Sequence, residues 1–113
     1  MEIREERQQG VAVVAPVGRV DSTTSAALEQ KLMALIAGGE RRLVVDFAGV
    51  DYISSAGLRV MLALAKKTRD TGGALALCAM GGLVREVFGL AGFLPLFAIE
   101  PERGAAIARV AGP

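Results

Sequence analysis

Two adjacent serines, Ser54 and Ser55, precede a predicted helix and are the residues of this chain best suited to chemistry. A serine at a helix start presents its hydroxyl beside unpaired backbone N–H groups and the positive end of the helix dipole, so a phosphate there is locally well tolerated. Serine is also a preferred N-cap residue. On the residues alone a cap is the simpler interpretation, and a division in which Ser54 caps and Ser55 is modified remains open.

A phosphate at this position would change the charge of a neutral surface. Phosphorylation adds about −1.5 to −2 charges, whereas the residues that follow the serines are Ala56 and Gly57. Repulsion and desolvation would then disrupt a complementary interface. The placement therefore permits a phosphoserine, and a phosphate there would be able to switch such an interface off.

Other polar residues near this joint are Asp21, Asp46, Asp51 and Arg59. Asp46 and Asp51 could suggest acid–base chemistry or a metal site, but the chain has no histidine, so common zinc sites and Ser-His pairs are excluded. We expect both carboxylates to form turns and to be solvated. Arg59 lies one helical turn after Ser55 and could contact a partner. No enzyme activity, metal or cofactor is predicted.

Composition limits the remaining classes of protein. The chain has 113 residues, 52% of them hydrophobic, which fits one packed domain spanning residues 1–113. Its net charge is +1, and the scattered basic residues argue against a nucleic-acid partner. Without a signal peptide or a long apolar run, we expect no membrane association and a cytoplasmic location. The single cysteine, Cys78, is interpreted as a small buried hydrophobe.

Periodic segments separated by glycines indicate the elements that position the serines. A hairpin is predicted from residues 2–8 and 11–15, ended by Pro16 and Gly18. A helix follows the possible caps at residues 22–25 and ends at residues 38–39. Residues 42–47 form a short apolar run and are predicted to be a central, buried strand.

The second half of the chain repeats this alternation. A helix begins near Ser55, with four residues predicted on its apolar face: Leu58, Met61, Leu62 and Ala65. The later elements are a strand at 74–80, a short helix at 83–88, a final strand at 93–99 and a terminal helix at 102–110. Alternating strands and helices predict an α/β fold with a mixed sheet of about five strands and about four helices packed on it.

The stretch VVDFAGVDYISSAGL, residues 44–58, resembles the signature of STAS domains, specifically those of the anti-sigma factor antagonists. The turn GRVD at residues 18–21 is similar to the Gly-x-Leu-Asp element of that family, and the helix from Val84 to Gly92 falls where the family has one. The resemblance covers nearly the whole chain. It implies a STAS-like single domain whose sheet carries helices on one side.

The resemblance also implies a function, partner switching. The unphosphorylated protein would bind an anti-sigma factor that is itself a serine kinase of the histidine-kinase-like ATPase fold; phosphorylation would break the complex, and a serine phosphatase would reset it. Ser55 matches the phosphoacceptor, and Asp21 matches an aspartate near the phosphoserine loop. Family members have Asp immediately before the acceptor, where this chain has Ser54, which is therefore the alternative acceptor.

The residues predicted to bind the partner are Asp21, Ser54, Ala56, Gly57 and Arg59. ATP would belong to the partner, and this chain would be the substrate. The alternative is a STAS interaction module of a phospholipid-transport complex or of a stressosome-like scaffold. A single domain with a serine at the acceptor position favours the antagonist.

Overall fold

The structure is a computed structural model that describes residues 1–112. Within them the helices and strands follow one another in the predicted order, with one additional strand. The strands are β1 (Glu2–Gln8), β2 (Val11–Val20), β3 (Arg42–Asp46), β4 (Val50–Ile53), β5 (Ala74–Cys78) and β6 (Ala98–Glu100). The helices are α1 (Ser25–Ala37), α2 (Ser55–Asp70), α3 (Gly82–Leu90) and α4 (Arg103–Val110), with a short 3₁₀ turn at Leu94–Leu96.

The strands form one mixed sheet, which confirms the predicted fold class. Its order is β1-β2-β3-β5-β6, and β4 pairs with the far end of β2. Only β1 is antiparallel to its neighbour; the other pairs are parallel. As predicted, β3 is central and buried, between β2 and β5. The carboxyl ends of the parallel strands therefore lie along one edge of the sheet.

Strand β2 is longer than predicted, because Pro16 and Gly18 do not end it. It pairs with β3 through residues 12–14 and with β4 through residues 18–20. Pro16 lies between these two segments, where its missing N–H removes no bond to either strand. Gly18 takes a φ of +101°, which glycine adopts without strain. Strand β2 therefore reaches the edge where α2 begins.

The sequence patterns did not predict strand β4, which occupies the joint between β3 and α2. Its register places Tyr52 opposite Arg19 and Ile53 opposite Val20. The predicted strand at 93–99 is also wrong in its first half, since Pro95 lies in the 3₁₀ turn and only Ala98–Glu100 pairs with β5. Proline lacks the N–H that a strand would need to donate.

Two hydrophobic cores lie on opposite faces of the sheet. Alternate residues of β3 separate them: Leu43 and Val45 contribute to the core under α1, α2 and α3, and Val44 to the core under α4. The expectation of helices on one side is therefore wrong for α4. Its buried residues, Ala106, Ile107 and Val110, cover the second face.

The buried face of α2 also differs from the predicted one. Leu62 is 44% exposed, whereas Val60 and Leu64 are buried. Helix α2 packs against α1 as well as against β4 and β5, so its buried stripe is turned toward α1. Leu62 faces outward as a result.

Asp46 is buried at the carboxyl end of β3, which corrects its predicted solvation. Its Oδ1 accepts a hydrogen bond from the Ala48 N–H at 2.8 Å, so the predicted turn does form. Its Oδ2 accepts from Arg103 Nε at 2.8 Å, and Arg103 also pairs with Glu6 at 3.1 Å. The Asp46 bond is the main cause that raises the pKa of Arg103. Residue 46 thereby ties α4 to the middle of the sheet.

Cys78 lies beside Asp46 in the parallel register and is fully buried. Burial, reinforced by the Asp46 charge, raises the pKa of its thiol to about 12. The thiol is therefore neutral at physiological pH and unreactive. The interpretation as a buried hydrophobe is confirmed.

Candidate functional site

The junction between β4 and α2 lies at the carboxyl edge of the sheet. The Ser54 N–H donates to the Val20 carbonyl oxygen at 2.8 Å, which ties the end of β2 to the residue that precedes α2. Loops at the carboxyl ends of parallel strands are where α/β folds commonly bind ligands and partners. Both serines stand at this edge.

Ser54 is the N-cap of α2. It has an extended backbone, and its Oγ accepts a hydrogen bond from the Gly57 N–H at 3.4 Å. Its carbonyl oxygen accepts from the Leu58 N–H at 2.9 Å. The side chain is half-buried. Of the two assignments that the sequence left open, the cap belongs to Ser54.

Ser55 is the first residue of α2 and is exposed. Its hydroxyl takes part in none of the side-chain hydrogen bonds found in the described part of the chain. A residue at this position has its side chain beside the first-turn N–H groups of the helix. The hydroxyl is thus accessible, and a modification of it would break no structural contact.

Ala56 and Gly57 differ in what they present to a partner. Ala56 is half-buried, whereas Gly57 is buried. A Cβ added to Gly57 would lie 2.7 Å from Ile53 Cγ1 and 2.8 Å from Val20 Cγ1. Glycine is required here by the close approach of α2 to β2 and β4, so its role is in packing rather than on the surface.

Asp21 organises the turn between β2 and α1. Its Oδ1 accepts hydrogen bonds from the Thr23 hydroxyl at 2.7 Å and from the Thr23 N–H at 2.9 Å. Both bonds lower the pKa of Asp21, and the bond from the Thr23 hydroxyl contributes most. The carboxylate is therefore charged at neutral pH. Because Asp21 follows Val20, which bonds Ser54, this turn adjoins the junction. Its predicted position near the serine loop is therefore reproduced by the fold.

Arg19 and Tyr52 are site residues that sequence reasoning missed. They face each other across β2 and β4, and the Arg19 guanidinium carbon lies 4.3 Å from the centre of the Tyr52 ring. Arg19 Nε also lies 3.5 Å from Asp21 Oδ2. The signal that could have found this pair is the two-residue alternation of β4, which is too short to stand out in the sequence.

Arg59 and Asp51 are exposed on either side of the serines. Arg59 lies one turn after Ser55, as predicted, and belongs to none of the ion pairs found between residues 1 and 112. Over the same residues, no three His, Cys, Asp or Glu side chains are grouped closely enough to hold a metal ion. Nor is any helix there long and apolar enough to cross a bilayer.

Comparison with known proteins identifies this architecture. The sequence profile of the STAS domain matches residues 2–106. The chain belongs to the STAS domain family. BtrV of Bordetella bronchiseptica, named as a candidate anti-sigma factor antagonist, is 43% identical over 108 residues, which are 96% of this chain and 93% of BtrV.

Solved STAS structures agree in fold. An anti-sigma factor antagonist from Mycobacterium paratuberculosis is 30% identical with a TM-score of 0.89, and the match covers 98% of this chain and 94% of that protein. The Bacillus cell fate determinant SpoIIAA in its phosphorylated form is 20% identical with a TM-score of 0.74, over 96% of this chain and 99% of SpoIIAA. The second likeness establishes the fold alone.

The two serines of this STAS domain are expected to differ in stability tests. Ser54→Ala should lower the free energy of unfolding by about 0.5–1 kcal/mol, because the Gly57 N–H loses its cap. Ser55→Ala should change it by less than about 0.5 kcal/mol, as for other exposed residues without a structural contact. Urea titrations of both variants measure the difference.

Ser54→Asp is the matched control, since aspartate is also a preferred cap and should keep the stability of the wild type. A larger loss in Ser55→Ala than in Ser54→Ala would transfer the cap to Ser55.

Proposed function

We propose that this STAS domain is an anti-sigma factor antagonist that binds a kinase-type anti-sigma factor and is released when Ser55 is phosphorylated. The observation that carries the proposal is the free, exposed hydroxyl of Ser55 on the first residue of α2. It stands beside a cap that another residue, Ser54, already provides. Modification of Ser55 would therefore leave the helix start intact.

A phosphate at Ser55 would act on the partner rather than on the fold. Its negative charge would lie beside the first-turn N–H groups of α2, which stabilise anions. The added charge of about −1.5 to −2 would face a partner surface that had been complementary to a neutral hydroxyl. Desolvation and repulsion would then break the complex.

Ser54 is the weaker candidate for the acceptor. Its side chain is half-buried and its oxygen accepts the Gly57 N–H, so phosphorylation there would compete with the cap. Ala56, Asp21 and Arg59 would contribute to the docking surface around Ser55. Gly57 would contribute by holding α2 close to the sheet.

The relatives support an antagonist over a transport or scaffold module. BtrV and the mycobacterial protein carry antagonist names and align with this chain over nearly their full lengths. SpoIIAA, which shares the fold, has been solved in a phosphorylated form. ATP would be bound by the anti-sigma kinase, and a serine phosphatase would restore the hydroxyl.

Incubation with ATP and each kinase-type anti-sigma factor encoded in the same genome tests the proposal. Mass spectrometry is expected to place one phosphate on Ser55, and gel filtration is expected to show a complex that this phosphate dissociates. The matched variants Ser55→Ala and Ser54→Ala separate the acceptors, since only the first should remain unmodified. Failure of every such anti-sigma factor to bind or modify the protein would contradict the proposal.

A further inference from the structure

The outward face of α2 carries a row of basic residues that leads away from Ser55. Starting from Ser55, steps of three or four residues reach Arg59, Leu62, Lys66 and Arg69, all exposed. Residues at this spacing share one helix face. Lys67 is exposed beside them. We call Arg59, Lys66, Lys67 and Arg69 the basic ridge.

The ridge differs from the charged strand β1, whose charged residues all form ion pairs. Charges on β1, for example, pair with other elements, as Glu5 does with Lys31 at 2.5 Å and Glu6 with Arg103 at 3.1 Å. No ridge residue occurs in any ion pair found in the part of the chain that the structure describes. Although the net charge of the chain is only +1, the charged residues of α2 are four basic residues and one acidic residue, Asp70.

The ridge is close enough to Ser55 to be covered by the same partner. Lys66 lies eleven residues after Ser55 in one continuous helix, a rise of about 16 Å at 1.5 Å per residue. A standard protein interface buries about 800 Å² on each partner, equivalent to a patch roughly 30 Å across. A protein centred near the serine would thus extend over Arg59 and Leu62 to Lys66. Arg69, about 21 Å along the helix from Ser55, lies just outside this patch but within the roughly 10 Å over which charges act at 0.1 M salt.

We infer that the basic ridge is a second part of the interface with the anti-sigma factor and binds an acidic face of that protein. The inference rests on the proposed function and adds to it the chemistry of the partner. Ser55 decides whether the complex persists, and the ridge attracts the partner. Opposite charges steer association and raise the rate at which complexes form.

Features of the ridge favour a protein over a nucleic acid or a membrane. Leu62, in its middle, is 44% exposed, which suits an interface with an apolar centre and a charged rim. At its far end Arg69 borders an open groove of about 390 Å³ whose walls include Leu75, Leu96 and Phe97. Leu96 there is 54% exposed. Such a groove can accept an apolar side chain of a protein.

Association kinetics with a kinase-type anti-sigma factor that binds the wild type test the inference. Lys66→Glu/Arg69→Glu is expected to reduce the association rate roughly tenfold or more at low salt, and the difference should shrink at high salt. Lys66→Gln/Arg69→Gln removes the positive charges without placing negative ones near the carboxyl end of α2, so it perturbs the helix less. This variant should show a smaller loss of association rate in the same direction. Dissociation rates should change less, because rim charges act mainly on association.

Arg4→Glu/Arg42→Glu is the matched control, since both arginines are exposed outside α2 and the net charge changes equally. Equal association rates for the ridge and control variants would overturn the inference while the proposed function stands. Absence of any binding by the wild type would overturn both. The inference would also be overturned by a different ligand for the ridge. In that case the wild type would bind phosphatidylglycerol vesicles or duplex DNA, the ridge variant would lose this binding, and its association with the anti-sigma factor would be unchanged.

Discussion

Ser55→Asp is expected to weaken binding of the anti-sigma factor by roughly 100-fold or more, which corresponds to about 2.7 kcal/mol. The carboxylate places a negative charge on the exposed first residue of α2, where the unmodified interface meets a neutral hydroxyl. An unpaired charge buried in an interface costs several kcal/mol. Calorimetric titration of the wild type and the variant measures the loss.

The fold should tolerate this change, because an acidic residue in the first turn of a helix is favourable by about 0.3–1 kcal/mol. The melting temperature of Ser55→Asp should therefore equal or slightly exceed that of the wild type. Ser55→Asn is the matched control, with nearly the same shape and no charge, and should retain most of the affinity. If Ser55→Asp bound as tightly as Ser55→Asn, charge at residue 55 would not be the switch.

Local sequence patterns placed a capping serine at the start of α2 and left open which of the two serines it is. A preferred cap residue before an apolar helical pattern is a short-range signal, and Ser54 does cap α2. The same pattern predicted the start of α2 near Ser55. Such signals depend on neighbours in the chain, which the sequence supplies directly.

Contacts between distant elements were not predictable in this way. Asp46 lies near the end of the predicted strand and just before a turn, which favours solvation, but its partner Arg103 is 57 residues away in the chain. The pairing of Arg19 with Tyr52 likewise depends on the register of β2 and β4. The Asp46–Arg103 contact leaves no periodic pattern in the sequence, and the alternation of β4 is too short to reveal the contact of Tyr52.

The second face of the sheet illustrates the same limit. Residues of β3 are apolar on both sides, which indicates a buried central strand but not which helix covers which face. The short helix α4 supplies that cover through Ala106, Ile107 and Val110. Its position also places Arg103 against Asp46. The Asp46 carboxylate therefore forms an ion pair, rather than being solvated, because α4 packs on this face.

Gly57→Ala is expected to lower the free energy of unfolding by about 1–3 kcal/mol, the usual cost of overpacking. The new methyl group would lie 2.7 Å from Ile53 Cγ1, 2.8 Å from Val20 Cγ1 and 3.1 Å from the Val20 carbonyl oxygen. Ile53 and Val20 are fully buried and β-branched, so neither can rotate away easily. Thermal melts should show a drop of about 4 °C for each kcal/mol.

Gly104→Ala provides the matched control, because Gly104 also lies in the first turn of a helix and a Cβ there meets nothing within 4 Å. Alanine is the better helix former by up to about 1 kcal/mol, so this variant should be no less stable than the wild type. Equal melting temperatures for the two variants would contradict the close approach of α2 to β2. If the predicted difference appears, Gly57→Ala should also weaken anti-sigma binding, since relief of the clash moves α2 away from Val20 and carries Ser54 and Ser55 with it.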